Sequence, residues 1–234
     1  RGVAVRGTIE HVFLQGSLLA SGEVRIDPTV PIERVELDDS SWLDVADRWL
    51  TGADDLFAEL VDVLAWSQRR GVPMYDRMVD EPRLTSWWRA DSGVPEALPI
   101  LAKIRSVLSA RYRVGFDSIG CNLYRDGSDS VAWHADRHRN RVVDPVVAIV
   151  SVGAARPFKM RRRGGGPART WDLGRGDLFV MGGACQHGWE HSVPKVRHAE
   201  PRMSITFRHD AGSSDEFRGS PVAHEITAGL GSAS

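Results

Sequence analysis

The sequence has few cysteines and no long apolar segment, and both absences exclude whole classes of protein. No apolar run approaches the roughly 20 residues of a membrane-spanning helix. Cys121 and Cys185 are the only cysteines in 234 residues, too few for a disulfide framework. The N-terminal residues also lack the apolar core of a secretory signal. We therefore expect a cytoplasmic protein that does not associate with a membrane.

An excess of charge of one sign is absent as well. The formal net charge is −1, and the 42% hydrophobic and 26% charged residues are typical of a globular protein. Any contact with a nucleic acid must therefore depend on local positive charge. The sequence offers two such clusters, which are Arg137, Arg139 and Arg141, then Lys159, Arg161, Arg162 and Arg163.

The first half of the chain has helical patterns. Capping residues and apolar side chains at intervals of three or four predict helices over residues 42–50, from Asp54 onward, and over 95–111. Residues 71–94 mix prolines, aromatic residues and charges, and fit neither a helix nor a strand cleanly.

From residue 115 the pattern changes to short β-rich stretches separated by glycine, proline and aspartate turns. Their ranges are 118–124, 130–134, 146–152, 157–161, 168–173, 177–181 and 202–207. This spacing predicts a β-sandwich or barrel. We divide the chain into an extension over 1–39, a helical buttress over 40–114, a β core over 115–210 and a mobile tail over 211–234, with 38–210 as one folded domain.

The sharpest local feature is His134-Ala135-Asp136. Residues two apart on a strand point to the same side, so His134 and Asp136 could bind one ion. A further histidine would complete the triad that holds iron(II) on one face and leaves the opposite positions open. Surface or core histidines are the alternative for the downstream candidates, and spacing does not choose among them: His187, His191, His198 and His209.

Residues 202–208 alternate strictly between polar and apolar side chains. The polar face carries Arg202, Ser204, Thr206 and Arg208, and the apolar face carries methionine, isoleucine and phenylalanine. Two arginines on one face suit a dicarboxylate such as 2-oxoglutarate, whereas surface salt bridges are the alternative.

Asn122 and Tyr124 share a face on the strand before the His-Ala-Asp segment and offer an amide and a phenol. Together, these segments resemble the AlkB family of nucleic-acid dealkylating oxygenases. The resemblance covers residues 115–209 and is carried, in order, by 122–127 (Asn-Leu-Tyr-Arg-Asp-Gly), 134–136, 176–177 (Gly-Asp), 189–194 (Trp-Glu-His-Ser-Val-Pro) and 202–208.

The resemblance implies an α+β fold: a double-stranded β-helix (jelly roll) core, helices packed on one sheet, and an N-terminal nucleotide-recognition lid within residues 40–114. It selects His191 as the third iron(II) ligand, beside His134 and Asp136, and makes these three residues catalytic. It also implies contacts to 2-oxoglutarate from Asn122, Tyr124, Arg202, Ser204, Thr206 and Arg208, with Arg202 at the distal carboxylate and Arg208 at the end near the metal.

The implied reaction uses iron(II), 2-oxoglutarate and O2 to hydroxylate an alkyl group on a damaged DNA base, and an N-methyl group is then released as formaldehyde. The base must be single-stranded or flipped out of a duplex. RNA is the alternative substrate, and a monomer is expected. The substrate contacts implied or available are Tyr75, Arg83, Trp87 and His138, and core packing is the alternative for Trp87 and Trp88.

Two positions depart from the family pattern. Ser204 replaces the usual asparagine, and His138 stands where relatives that repair bases usually carry an acidic residue. His138 and the near-neutral net charge leave open an oxygenase that acts on a protein or small molecule. A non-catalytic nucleic-acid-binding module is the third alternative.

Overall fold

The computed structural model describes residues 3–4, 22–74, 77–89, 98–136 and 142–209. The strands are β1 (Val3–Ala4), β2 (Arg25–Ile26), β3 (Glu33–Asp38), β4 (Ser41–Ala46), β5 (Leu50–Thr51), β6 (Ser67–Gln68), β7 (Val72–Met74), β8 (Arg77–Val79), β9 (Leu84–Arg89), β10 (Ser118–Tyr124), β11 (Val131–His134), β12 (Val147–Gly153), β13 (Arg156–Arg162), β14 (Arg169–Leu173), β15 (Asp177–Gly183), β16 (Trp189–Val193) and β17 (Arg202–Arg208). The helices are α1 (Ala53–Val63), α2 (Pro99–Tyr112) and α3 (Cys185–Gly188).

Two antiparallel sheets form the body of the fold. The major sheet has the order β1, β6, β9, β10, β17, β12, β15, β4, β3, and the minor sheet has the order β11, β16, β13, β14. Two facing antiparallel sheets with long crossovers between neighbouring strands are the architecture of a jelly roll, as expected. The central strand β12 is buried along its whole length because both of its faces are covered.

Each face of the major sheet has its own apolar core. On one face, α1 and α2 pack through Phe57, Leu60 and Ile104 against side chains of β10, β12 and β17. On the other face, the minor sheet contributes Phe158, whose ring packs at an angle of 57° against that of Phe179 of β15, with the centroids 5.0 Å apart. Burial of each such side chain contributes about 1.5–3 kcal/mol, so the helices fix the major sheet from behind. The expectation of helices packed on one sheet is confirmed.

The helix predicted over residues 42–50 is wrong, because residues 41–46 form the strand β4. Its capping serines are equally compatible with a strand, and β4 gains two pairing partners, β3 and β15, that lie at other places in the sequence. Gly182 of β15 lies against the Trp42 ring, where an added Cβ would approach the ring to 2.1 Å. Strand β3 extends the sheet with residues that we placed in the N-terminal extension.

The other elements agree more closely with the pattern. The helix expected from Asp54 is α1, which begins at Ala53 after Gly52 rather than at an aspartate cap. The third helix is confirmed as α2, and all seven predicted strands are present with ends shifted by at most two residues. Residues 84–89 form β9, although the surrounding segment fitted no regular element, and β16 had no predicted counterpart.

No helix in the described ranges is long and apolar enough to cross a membrane. Cys121 and Cys185 are both buried and unpaired.

Candidate active site

One cavity between the two sheets contains all nine residues predicted to bind a metal or 2-oxoglutarate. Strands β10 and β17 of the major sheet form one wall, and β11 and β16 of the minor sheet form the other. The predicted residues in its lining are Asn122, Tyr124, His134, Asp136, His191, Arg202, Ser204, Thr206 and Arg208, joined by Arg83. Apolar side chains complete the wall: Val131, Ile149, Phe158 and Val193.

His134, Asp136 and His191 place one possible ligand atom each within 4.8 Å of one another. His134 and His191 are directly opposite in the pairing of β11 with β16, and their ring centroids are 4.3 Å apart. Asp136 follows the end of β11. Two imidazoles and a carboxylate converging on one face form a donor set that suits iron(II).

A β-bulge directs His134 into the cavity. Val131 pairs with Val193 and His134 pairs with His191, so β11 has one more residue than β16 over this interval. Val131 and His134 both line the cavity although they are three residues apart. Regular alternation would not allow this, and the extra residue restores the inward direction of His134.

Charge and burial set the protonation of the metal ligands. Burial alone would raise the pKa of Asp136, but the guanidinium of Arg208, 3.1 Å from its carboxylate, and the two imidazoles lower it well below the ordinary range. Burial, together with the nearby His134, lowers the pKa of His191 to about 3. His134 has Nδ1 2.9 Å from the Ala132 carbonyl, which can only accept, so Nε2 carries the free lone pair. At neutral pH the Asp136 carboxylate is therefore ionised and the His191 imidazole is neutral, which are the forms that bind a metal.

Two residues that sequence reasoning missed support the ligands. Gln186 of α3 accepts a hydrogen bond from the backbone N–H of Asp136 at 3.1 Å. The ring of Phe158 stacks on His191 with centroids 5.2 Å apart. The alternation of β13 indicates an inward Phe158, whereas no local signal identifies Gln186.

The other end of the cavity has a buried cation. Arg202 is 1% exposed, and its Nη2 donates to the Ser151 hydroxyl at 2.6 Å. Its Nε has no hydrogen-bond partner, and the guanidinium lies 5.3 Å from the Tyr124 ring centroid. Because a buried charge without a counter-ion is costly, this end fits an anionic ligand. Asn122 donates to the Ser204 hydroxyl at 3.3 Å, so the serine that replaces the family's asparagine still contacts this amide.

Arg83 extends the cavity wall towards β9. Its Nε donates to the side-chain amide oxygen of Asn122 at 3.0 Å, and its Nη2 lies 2.6 Å from the Glu81 carboxylate. Trp88 packs against the core, which was the alternative to a substrate contact. Trp87, in contrast, is 56% exposed. Tyr75 and His138 lie outside the described residues.

Trp87 lies close to Arg208 of the cavity wall, and only the backbone of Gly120 stands between them. A Cβ at Gly120 would lie 3.1 Å from Nη1 of Arg208 and 3.2 Å from the Trp87 ring. The absence of a side chain at Gly120 therefore lets the indole and the guanidinium approach the same spot.

The second basic cluster is partly neutralised. Arg161 pairs with Glu190 at 2.5 Å and lies over the Trp133 ring at 4.1 Å, and Arg162 is 3.1 Å from Asp38. Arginines engaged in this way are less available to bind phosphates. The cluster at positions 137, 139 and 141 lies outside the described residues.

Comparison with known proteins agrees with this geometry. The family model of the 2OG-Fe(II) oxygenase superfamily matches residues 85–208. The chain belongs to this superfamily. The cofactors that define these oxygenases are iron(II) and 2-oxoglutarate, and the cavity contains residues that fit both.

The relatives place this oxygenase in the AlkB family. It is 35% identical to "Alpha-ketoglutarate-dependent dioxygenase alkB homolog 3" of Mus musculus, over 68% of this chain and 62% of that protein. It is 32% identical to "DNA oxidative demethylase ALKBH2" of Mus musculus, over 69% of each chain. The oxygenase thus spans about 62% of the length of alkB homolog 3. The solved structure "The structure of OsALKBH1" shares the fold, with a TM-score of 0.52 at 16% identity, over 76% of this chain and 100% of that one.

Proposed function

We propose that this AlkB-family member is an iron(II)- and 2-oxoglutarate-dependent oxygenase that removes alkyl groups from bases in nucleic acid. The observation that carries the proposal is the shared cavity, in which three clustered metal donors lie with the buried cation Arg202. The name of the relative "DNA oxidative demethylase ALKBH2" supports DNA as the substrate.

Each predicted residue has a role in this proposal. His134, Asp136 and His191 would hold iron(II), and Arg202 would pair with the distal carboxylate of 2-oxoglutarate. Arg208 keeps Asp136 ionised and oriented through its contact at 3.1 Å. The remaining polar lining of the co-substrate end is Asn122, Tyr124, Ser204 and Thr206.

Iron(II) with 2-oxoglutarate and O2 supplies the oxidising power to hydroxylate the alkyl carbon, while 2-oxoglutarate becomes succinate and carbon dioxide. When an N-methyl group is hydroxylated, its carbon leaves as formaldehyde and the base nitrogen keeps the electrons of the broken C–N bond. The apolar part of the wall, including Val131 and Val193, limits the access of water to the reacting carbon.

The substrate side rests on fewer contacts. A base must leave its stack to reach the metal ligands, which favours single strands or flipped bases. The exposed ring of Trp87 beside Arg208 offers a surface on which a base can stack, and Arg83 reaches into the cavity wall. The lid within residues 40–114, the contacts of Tyr75 and His138, a monomeric state and a cytoplasmic location stay predictions.

The test is to incubate the iron-loaded protein with matched oligonucleotides, with and without N-methylated bases, and to measure succinate and formaldehyde. Single-stranded DNA, duplex DNA and RNA of one sequence separate the substrate classes. We expect equimolar succinate and formaldehyde with alkylated single-stranded DNA. Turnover that no alkylated oligonucleotide stimulates would refute dealkylation and favour a protein or small-molecule substrate, whereas binding without turnover would favour the non-catalytic module.

A further inference from the structure

Arg156 is a buried cation that does not line the cavity. It is the first residue of β13, and the alternation of that strand places it on the inner face with Phe158 and Met160. The residue is 1% exposed, and among the described residues no carboxylate forms a salt bridge with it, although those of Asp126 and Asp129 lie within electrostatic range. Its guanidinium donates instead to three backbone carbonyls, and its Nε has no partner. The acceptors are Asp126 at 2.7 Å, and Asp129 and Pro194 at 3.1 Å.

Those three carbonyls lie close in sequence to the strands of the metal ligands. Asp126 and Asp129 belong to the turn that leads into β11, which carries His134. Pro194 directly follows β16, which carries His191. Arg156 therefore ties together the chain segments that enter and leave the metal site.

Arg156 and Arg202 also share a neighbour. Their guanidinium carbons lie 6.0 Å and 5.3 Å, respectively, from the centroid of the Tyr124 ring. Burial lowers the pKa of both arginines. The charge of Arg156 also lowers the pKa of Arg202, so the two buried cations repel one another although the carboxylates of Asp126, Asp129 and Asp177 lie within electrostatic range. An anionic ligand would relieve that repulsion.

We propose that Arg156 is a positioning residue for the co-substrate: it holds Tyr124 in the cavity wall and, with Arg202, makes this end of the cavity selective for a second carboxylate. The inference rests on the proposed function, since it assumes that 2-oxoglutarate binds here. It adds to the predicted contacts a residue that acts through Tyr124 rather than by touching the ligand.

The experiment measures binding of two 2-oxoacids to the full chain loaded with Mn²⁺, which takes the same kind of ligands as iron(II). 2-Oxoglutarate has the second carboxylate, and 2-oxobutyrate lacks it. For Arg156→Met we expect 2-oxoglutarate to bind about tenfold more weakly, and 2-oxobutyrate and Mn²⁺ to bind within about threefold of the unsubstituted protein. Arg156→Lys keeps the charge and should recover part of the preference for 2-oxoglutarate.

Arg169→Met is the matched control, because it removes the same charge from an exposed position in the paired strand β14. It should bind both oxoacids normally. The proposal is overturned if Arg156→Met keeps the full preference for 2-oxoglutarate. It is also overturned if the variant loses affinity for both oxoacids and for Mn²⁺ to the same extent, as a purely structural role requires. If Arg156→Met does not fold, Arg156→Gln takes its place, because it removes the charge but keeps a hydrogen-bond donor, and an unchanged preference for 2-oxoglutarate in that variant overturns the proposal equally. If the unsubstituted protein binds no 2-oxoglutarate, the proposed function itself fails.

Discussion

The two ends of the cavity differ in whether their charged side chains have partners of opposite charge. At the metal end, the Asp136 carboxylate is matched by Arg208, and His191 is held neutral. At the other end, Arg202 lines the cavity and Arg156 lies near the same Tyr124 ring, and neither buried guanidinium forms a salt bridge among the described residues. The metal end is therefore balanced before its ligand arrives, whereas the other end needs an anion to become balanced. This difference predicts that the two ends can be disabled separately.

The largest expected effect comes from removing a metal ligand. His134→Ala should weaken iron(II) binding by more than about 100-fold, which exceeds the loss typical of residues that only support a ligand, and should abolish succinate release. Calorimetric titration with Mn²⁺ and an assay of succinate measure both. Thermal unfolding should stay cooperative, and retention of full metal affinity would refute the assignment of His134.

Removing the cation at the opposite end should spare the metal. Arg202→Met loses a charge-assisted contact, so the KM for 2-oxoglutarate should rise about 100-fold. Binding of Mn²⁺ in the absence of co-substrate should be almost unchanged. Equal losses of metal and co-substrate would show that the two ends are not separate.

An intermediate effect at the metal end is expected from Gln186. Replacement by alanine leaves the Asp136 backbone N–H without its acceptor and loosens the segment after His134. We expect about tenfold weaker metal binding, as is usual when a residue that orients a ligand is lost. The binding of 2-oxobutyrate and that of 2-oxoglutarate should weaken by the same factor. A selective loss of affinity for 2-oxoglutarate would contradict the placement of Gln186 at the metal end.

The smallest effect is expected at Asp38, which accepts a hydrogen bond from Trp189 on the strand that carries His191. Burial opposes its ionisation, but the Trp189 indole N–H, at 2.7 Å, and bonds from nearby serines lower its pKa to about 2. The carboxylate therefore adds stability above about pH 4, its ordinary range, and that stability is lost as the pH falls towards 2. Asp38→Asn should cost about 1 kcal/mol at pH 7 and have less effect at pH 2. Urea unfolding at both values checks this, and an equal cost at both would refute it.

The success of the sequence predictions depended on how local each signal is. Residues 202–208 form β17 as predicted, because one alternating segment contains the whole pattern. Residues 41–46 were mistaken for part of a helix because the strands that pair with them lie elsewhere in the chain. His191 followed from the family resemblance and not from spacing. Gln186 and Arg156 could not be assigned from the sequence, since their partners are fixed only by tertiary contacts.

The bulge before His134 means that the site depends on how β11 pairs as well as on its residue types. If the same residues paired without the bulge, Trp133 would lie opposite His191. A tryptophan would then point into the cavity, and the histidine would face away from it. Every ligand would still be present in the sequence, but the metal site would be lost. The pairing register of this interval is thus as much a determinant of function as the histidine itself.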